Sequence, residues 1–297
     1  MTLSTFMQHL TNGISLGSLY ALIAIGYTMV YGILKLINFA HGDIFMMAAY
    51  FAFFGVATFN LPWYFAFIIA VVITGLLGMT IEFTAYKPLR SAPKISILIS
   101  AIGVSFLLEN LAVVLFGGRP KAFPTPKLFT NVVTIGGVAI QNLTFIIPVV
   151  TVILLFILLY LVNHTNVGMA MRAVAKDVET AKLMGIKVNR IISFTFAVGS
   201  MLAAVGAMMW SLKYPQIVAL MGMIPGLKCF IAAVIGGIGD ITGAVIGGFI
   251  LGIGEIMLVA FLPGLTGYRD AFAFILLIVI LLFKPTGIMG KNLTEKV

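Results

Sequence analysis

The sequence predicts an all-α, polytopic helical membrane protein of about eight to nine embedded helices, including a short half-helix, with one helix held on the cytoplasmic face. Three observations predict it. Hydrophobic residues make up 61% of the 297 residues and charged residues only 9%, more apolar side chain than a soluble chain can enclose. Apolar runs near or above ~18 residues recur along the chain, the length that crosses a hydrocarbon core as a helix. Lys and Arg fall almost wholly between those runs. The net charge of +9 therefore marks cytoplasmic loops and contact with anionic membrane lipid, and nucleic acid is not an expected partner.

The elements follow in order. A first span over Asn12–Leu34 carries Gly13, Gly17, Ala21, Ala24 and Thr28 three or four apart, one face where another helix can approach closely. INFAHGD then forms a polar elbow, and Asp43 is placed to cap a second span, Asp43–Phe59. Asn60-Leu61-Pro62-Trp63-Tyr64 has no charge and two interfacial aromatics, so it belongs outside. A third span, about Trp63–Thr84, ends at Lys87, Arg90 and Lys94, and a fourth covers Ile95–Phe116. The loop Gly117–Asn142 alternates apolar residues with Thr and Gly around Val132–Ile140, a hairpin pattern. Spans over about Leu143–Val162 and Ile191–Leu212 flank a charged segment. Pro225–Ile235 is too short to cross and reads as a half-helix or re-entrant segment. Asp240–Leu262 and about Tyr268–Phe283 complete the single domain, residues 1–297.

This arrangement places the N-terminus outside and twelve basic residues in the cytoplasm, Lys291 and Lys296 among them, against five outside. Lys228 is left in the short helix and is expected to snorkel to the outer interface. The opening MTLSTFMQHL lacks Lys and Arg, and no A-x-A site follows, so a cleaved signal peptide is not expected. Asn38–Phe59 and Gly236–Leu262 share a short echo, a GD-containing turn followed by an apolar helix, as duplicated transporter units do.

The charged segment Gly168–Arg190 holds five of the eighteen basic residues. Asp177 is placed to N-cap a short helix, with Glu179 in its first turn, Lys182 in its last and Gly185 at a left-handed C′ position. Ile186 then folds back toward Ala181. Such a helix on the cytoplasmic face is a handle for another protein.

No catalytic or metal constellation emerges. The three His are far apart, Cys229 is the only cysteine, and no G-x-x-x-x-G-K-[ST] loop is present. The chain is not expected to be an enzyme or to carry a cofactor, and any ATP hydrolysis falls to separate subunits. Candidate solute-path residues are Ser96, Ser100, Gly103 and Asn110 on the fourth span, and Gly248, Gly252 and Glu255 on the eighth element. Their small, weakly polar character leaves room for a solute without trapping it. Glu109 and Glu255 stand inside predicted spans, where a charge faces a cavity or a partner.

Asn12–Asp43, Ala232–Gly248 and KPTGIMG (Lys284–Gly290) resemble the branched-chain amino-acid ABC transporter permease family, in particular its shorter LivH-type subunit. The resemblance runs over essentially the whole chain. It implies a multi-pass permease of the bacterial inner membrane, paired with a second homologous permease, two cytoplasmic ATP-binding subunits and a periplasmic solute-binding protein. Glu179-Thr180-Ala181 followed by Gly185 also resembles the E-A-A-x-x-x-G coupling signature of ABC permeases, with Thr180 in place of the second Ala and the downstream Leu-Pro missing. On that resemblance, Asp177, Glu179, Thr180, Ala181 and Gly185 couple to the ATPase. Urea or amide permeases of the same architecture, and a stand-alone secondary transporter, are the alternatives.

Overall fold

The computed structural model describes residues 2–135 and 138–290; Lys291 and Lys296 lie outside the described residues. Nine apolar helices form the bundle among the described residues. Seven are long enough to cross a membrane: α1 (Leu3–Leu34), α3 (Trp63–Ile81, extended by further helical turns to Leu89), α4 (Lys94–Phe116), α6 (Asn142–His164), α9 (Val188–Lys213), α11 (Ile241–Phe261) and α12 (Arg269–Phe283, with the preceding 3-10 turn). Two are shorter, α2 (His41–Ala57) and α10 (Met223–Gly236). The one-turn α5 (Lys127–Thr130) lies in the α4–α6 loop, and α7 (Asn166–Lys176) and α8 (Val178–Leu183) form the charged segment.

Small sheets tie the outer loops together. Strand β1 (Lys121–Ala122) pairs antiparallel with β4 (Gln216–Ile217), and β2 (Val132–Ile135) with β3 (Val138–Gln141), the hairpin expected in that loop. The bounds of the long helices agree with the predicted spans to within a few residues, except that α1 begins well before Asn12.

α1 is the centre of the bundle and its small-residue face is the reason. A Cβ on Gly17 meets the Phe249 Cα at 2.9 Å, and one on Gly248 meets the Ala21 N at 2.5 Å, so α1 and α11 touch backbone to backbone. From Leu16 to Ile25 every α1 residue is buried. α3, α4 and α6 lie at the periphery and show broad apolar faces, as lipid-facing helices do.

The bundle holds an inverted repeat. α1–α4 and α9–α12 follow one plan: a long helix, a non-helical return, a short apolar helix, then two longer ones. α1 packs on α11 as α9 packs on α3, α1 on α10 as α9 on α2, and α2 on α3 as α10 on α11. α1 and α9 run antiparallel and cross at Gly26 and Gly199, where a Cβ on either glycine meets the other's carbonyl oxygen, at 2.6 and 3.0 Å. The two units are thus related by a pseudo-two-fold axis in the membrane plane. Tyr20 and Ser193, Gly26 and Gly199, and Glu82 and Glu255 are each separated by the same number of positions. The sequence echo matched α2 with α11; the packing instead matches α2 with α10.

Candidate functional site

The two short helices begin against each other, α2 from inside the bundle. His41, the first residue of α2, is buried and its Nε2 lies 3.2 Å from the Ile23 carbonyl, well within α1. Gly42 abuts Gly222 and Gly226, so the start of α2 meets the start of α10. Glycine is required at this contact: a Cβ on Gly226 falls 2.9 Å from the Gly42 Cα, and one on Gly42 or Gly222 overlaps the other's carbonyl. With 17 and 14 residues, neither helix reaches the ~20 of a full span.

Where these two N-termini meet α4 there is a cavity of about 170 Å³. Asp43 and Glu109 bring carboxylates to it, Ser105 a hydroxyl, and Ile102, Leu227 and Phe230 apolar walls. The exposed side chains of Phe106 and Met223 also border it. Asp43 does not cap α2, as its sequence position suggested. Ala40 occupies the cap position without a side-chain bond, and Asp43 sits in the first turn, where its carboxylate accepts a hydrogen bond from Ser105. Asp43 is only 3% exposed. Asp43 thus lies in the first turn of α2, where the positive end of a helix dipole favours a carboxylate.

The residues expected along the path are not brought together here. Ser100 donates to the Ala85 carbonyl at 3.0 Å and Asn110 to the Phe106 carbonyl at 2.7 Å, so both spend donors on backbone. Gly103 faces open space, and Ser96 is half-buried near the start of α4. The cavity is lined by the neighbouring face, Ile102, Ser105, Phe106 and Glu109. Helical spacing alone does not reveal which face looks into a cavity made by two distant segments. Gly248 and Gly252 are closed off by α1, and a Cβ on Gly252 overlaps Gly17. Both pack against the α1 backbone.

Glu255 is enclosed by ions. Arg269 Nε donates to its Oε2 at 2.8 Å and the Tyr20 hydroxyl at 3.0 Å. Lys228 Nζ lies 2.8 Å from Oε1 and 2.7 Å from Asp270. The Lys228–Oε1 contact is ionic, since Oε1 receives no aligned hydrogen bond. Lys228 is therefore not snorkelling to the interface; it is buried between two acids because Glu255 and Asp270 neutralise it there. Glu82 occupies the equivalent place in the other repeat, fully buried, paired with Arg90 and accepting from Ser193 at 2.5 Å.

On the opposite side of the polar inventory stands α8. Asp177 accepts from the Glu179 N–H at 2.9 Å and the Thr180 N–H at 3.2 Å, and from the Thr180 hydroxyl at 2.6 Å. Donation by the Thr180 hydroxyl, then by these N–H groups, holds the Asp177 carboxyl below its usual range. Gly185 has φ 80°, its N–H bonds Lys182 O at 3.0 Å, and the Ile186 N–H bonds Ala181 O at 3.1 Å. That is a Schellman ending. Ala181 points inward and is buried, while Leu183 and Met184 stand 88% and 79% exposed at the tip. The Glu179–Lys182 pair, 2.8 Å apart and open to solvent, adds little.

An inverted repeat with two half-helices meeting inside the bundle, and a rigid capped helix outside it, defines a multi-pass transport protein of the membrane. The profile described as branched-chain amino acid transport system / permease component matches residues 9–281, and the chain belongs to that family. It is 42% identical to the high-affinity branched-chain amino acid transport system permease protein BraD of Pseudomonas aeruginosa, over 98% of each chain. It is 41% identical to LivH of Escherichia coli K12, a protein of the same description, again over 98% of each. Among solved structures, PsaBC from Streptococcus pneumoniae in complex with Fab is similar with a TM-score of 0.51 and 17% identity, covering 94% of this chain and 92% of that one. At that identity the likeness speaks for the fold.

Proposed function

We infer that this permease component forms part of the membrane pore of an ATP-driven importer for branched-chain or related amino acids in the bacterial inner membrane. It works beside a second homologous permease. Two cytoplasmic ATP-binding subunits drive it, and a periplasmic solute-binding protein delivers the solute. The substrate class rests on family membership and on the two relatives, each similar over nearly its whole length.

The observation that carries the coupling role is α8. Both of its ends are fixed by side-chain and backbone bonds, its inner face is anchored through Ala181, and its tip presents Leu183 and Met184 to the aqueous side. Exposed apolar side chains on a rigid, solvated helix suit insertion into a groove on another subunit. Asp177, Glu179, Thr180, Ala181 and Gly185 build that shape. Nucleotide-driven movement of the ATP-binding subunits then pulls on α7–α9 as one body. Gly185→Val forces a β-branched residue into a left-handed conformation and reshapes the tip. ATP-dependent leucine uptake in proteoliposomes is expected to collapse in that variant while the protein still inserts; normal uptake removes α8 from coupling.

A further inference from the structure

The meeting point of α2 and α10 has the chemistry of a solute site, and we propose that it is a station inside the membrane for a zwitterionic amino acid with an apolar side chain. The proposal rests on the amino-acid importer reading above and says where in this chain the solute pauses. The solute's ammonium pairs with Asp43, which is 3% exposed, lines the cavity and accepts from Ser105, with Glu109, also in the lining, adding negative field. Its carboxylate faces the two helix N-termini. Among the described residues the Gly42 and Ile224 N–H groups have no backbone acceptor, and Pro225 removes one donor from the first turn of α10. Its side chain lies against Ile102, Leu227 and Phe230.

Two features point to an occupant. The first is the volume: a single water needs roughly 10–15 Å³, and about 170 Å³ is open here. The second is the mixed chemistry of the lining within one small space: two acids, Asp43 and Glu109, the positive ends of two helix dipoles, and the apolar walls. A solute with both charges and an apolar side chain meets all of these groups at once, whereas a cation or an anion alone leaves the acids or the dipole ends unmet.

The test uses the assembled importer with a single thiol at the cavity border, Met223→Cys in a Cys229→Ser background. The purified complex is labelled with a small thiol reagent with and without leucine, with 3-methylbutylamine, which lacks the carboxylate, and with 4-methylpentanoate, which lacks the amine. Leucine is expected to protect the thiol, and each partial analogue to do so about tenfold less well, the effect of losing one charge-assisted bond. Adding Asp43→Asn, which keeps the side chain's shape, is expected to remove leucine protection without changing labelling itself. Leucine uptake by a complex whose thiol leucine never protects overturns the station. Equal protection by all three compounds overturns its zwitterionic character. A complex that imports a different solute and no leucine overturns the underlying reading instead.

Discussion

Single residues in this protein are held by charge more tightly than its composition suggests. Glu255, Lys228, Arg269 and Asp270 balance two acids against two bases, and removing one leaves an uncompensated buried charge. Glu255→Gln is expected to destabilise the purified protein by roughly 3 kcal/mol, read as a fall in its thermal unfolding midpoint. Adding Lys228→Gln restores one cation to one acid and should recover a large part of that loss. If the double variant is no better than the single, the cluster does not act as a balanced unit. Asp177 makes a different prediction. Its carboxyl is held below the usual range, so the cap contributes above the unfolded carboxyl's pKa and is lost as pH falls through the lowered folded value. Coupled uptake should thus be insensitive to Asp177 ionisation near neutrality. Asp177→Asn, which still accepts N–H bonds, should retain more uptake than Asp177→Ala across that range; equal loss in both denies the cap its role.

Helices differ in how much of their role was readable. The long spans and the ends of α8 were legible because their signals are local: apolar length, Asp177 before an acidic first turn, Gly185 where the chain turns back. The site was not. Asp43 and Lys228 were read from neighbours in sequence, as a cap and as a snorkelling lysine, whereas their partners Ser105, Glu255 and Asp270 lie on other elements. Ser96, Ser100, Gly103 and Asn110 do not line the cavity, since α4 is apolar nearly all round and its periodicity gives no direction. The short length of Pro225–Ile235 was the one hint of a break in the bundle. The glycines now separate into two kinds. Gly252→Val should prevent assembly, because a Cβ there overlaps the α1 backbone. Gly103→Leu meets nothing within 4 Å in this chain and should leave insertion and detergent stability unchanged. If both variants purify equally well, close α1–α11 packing is not what holds the bundle.

For the whole molecule, the inverted repeat fixes which ends share a side. Single cysteines at Asn60 and Lys127 in a Cys229→Ser background should label from outside and one at Lys182 from inside, with α6 crossing between the last two. Labelling of Lys127 and Lys182 positions from one side breaks the arrangement. The central place of α1 has a further consequence, for the order in which the protein is made. The ribosome delivers this helix well before its neighbours α9, α10 and α11. Until then its glycine face and Tyr20 have no partners, and the start of α2 waits without α10. A chain interrupted before Met223 therefore carries its future centre exposed to lipid, and offers cellular quality control a clear mark of an unfinished permease.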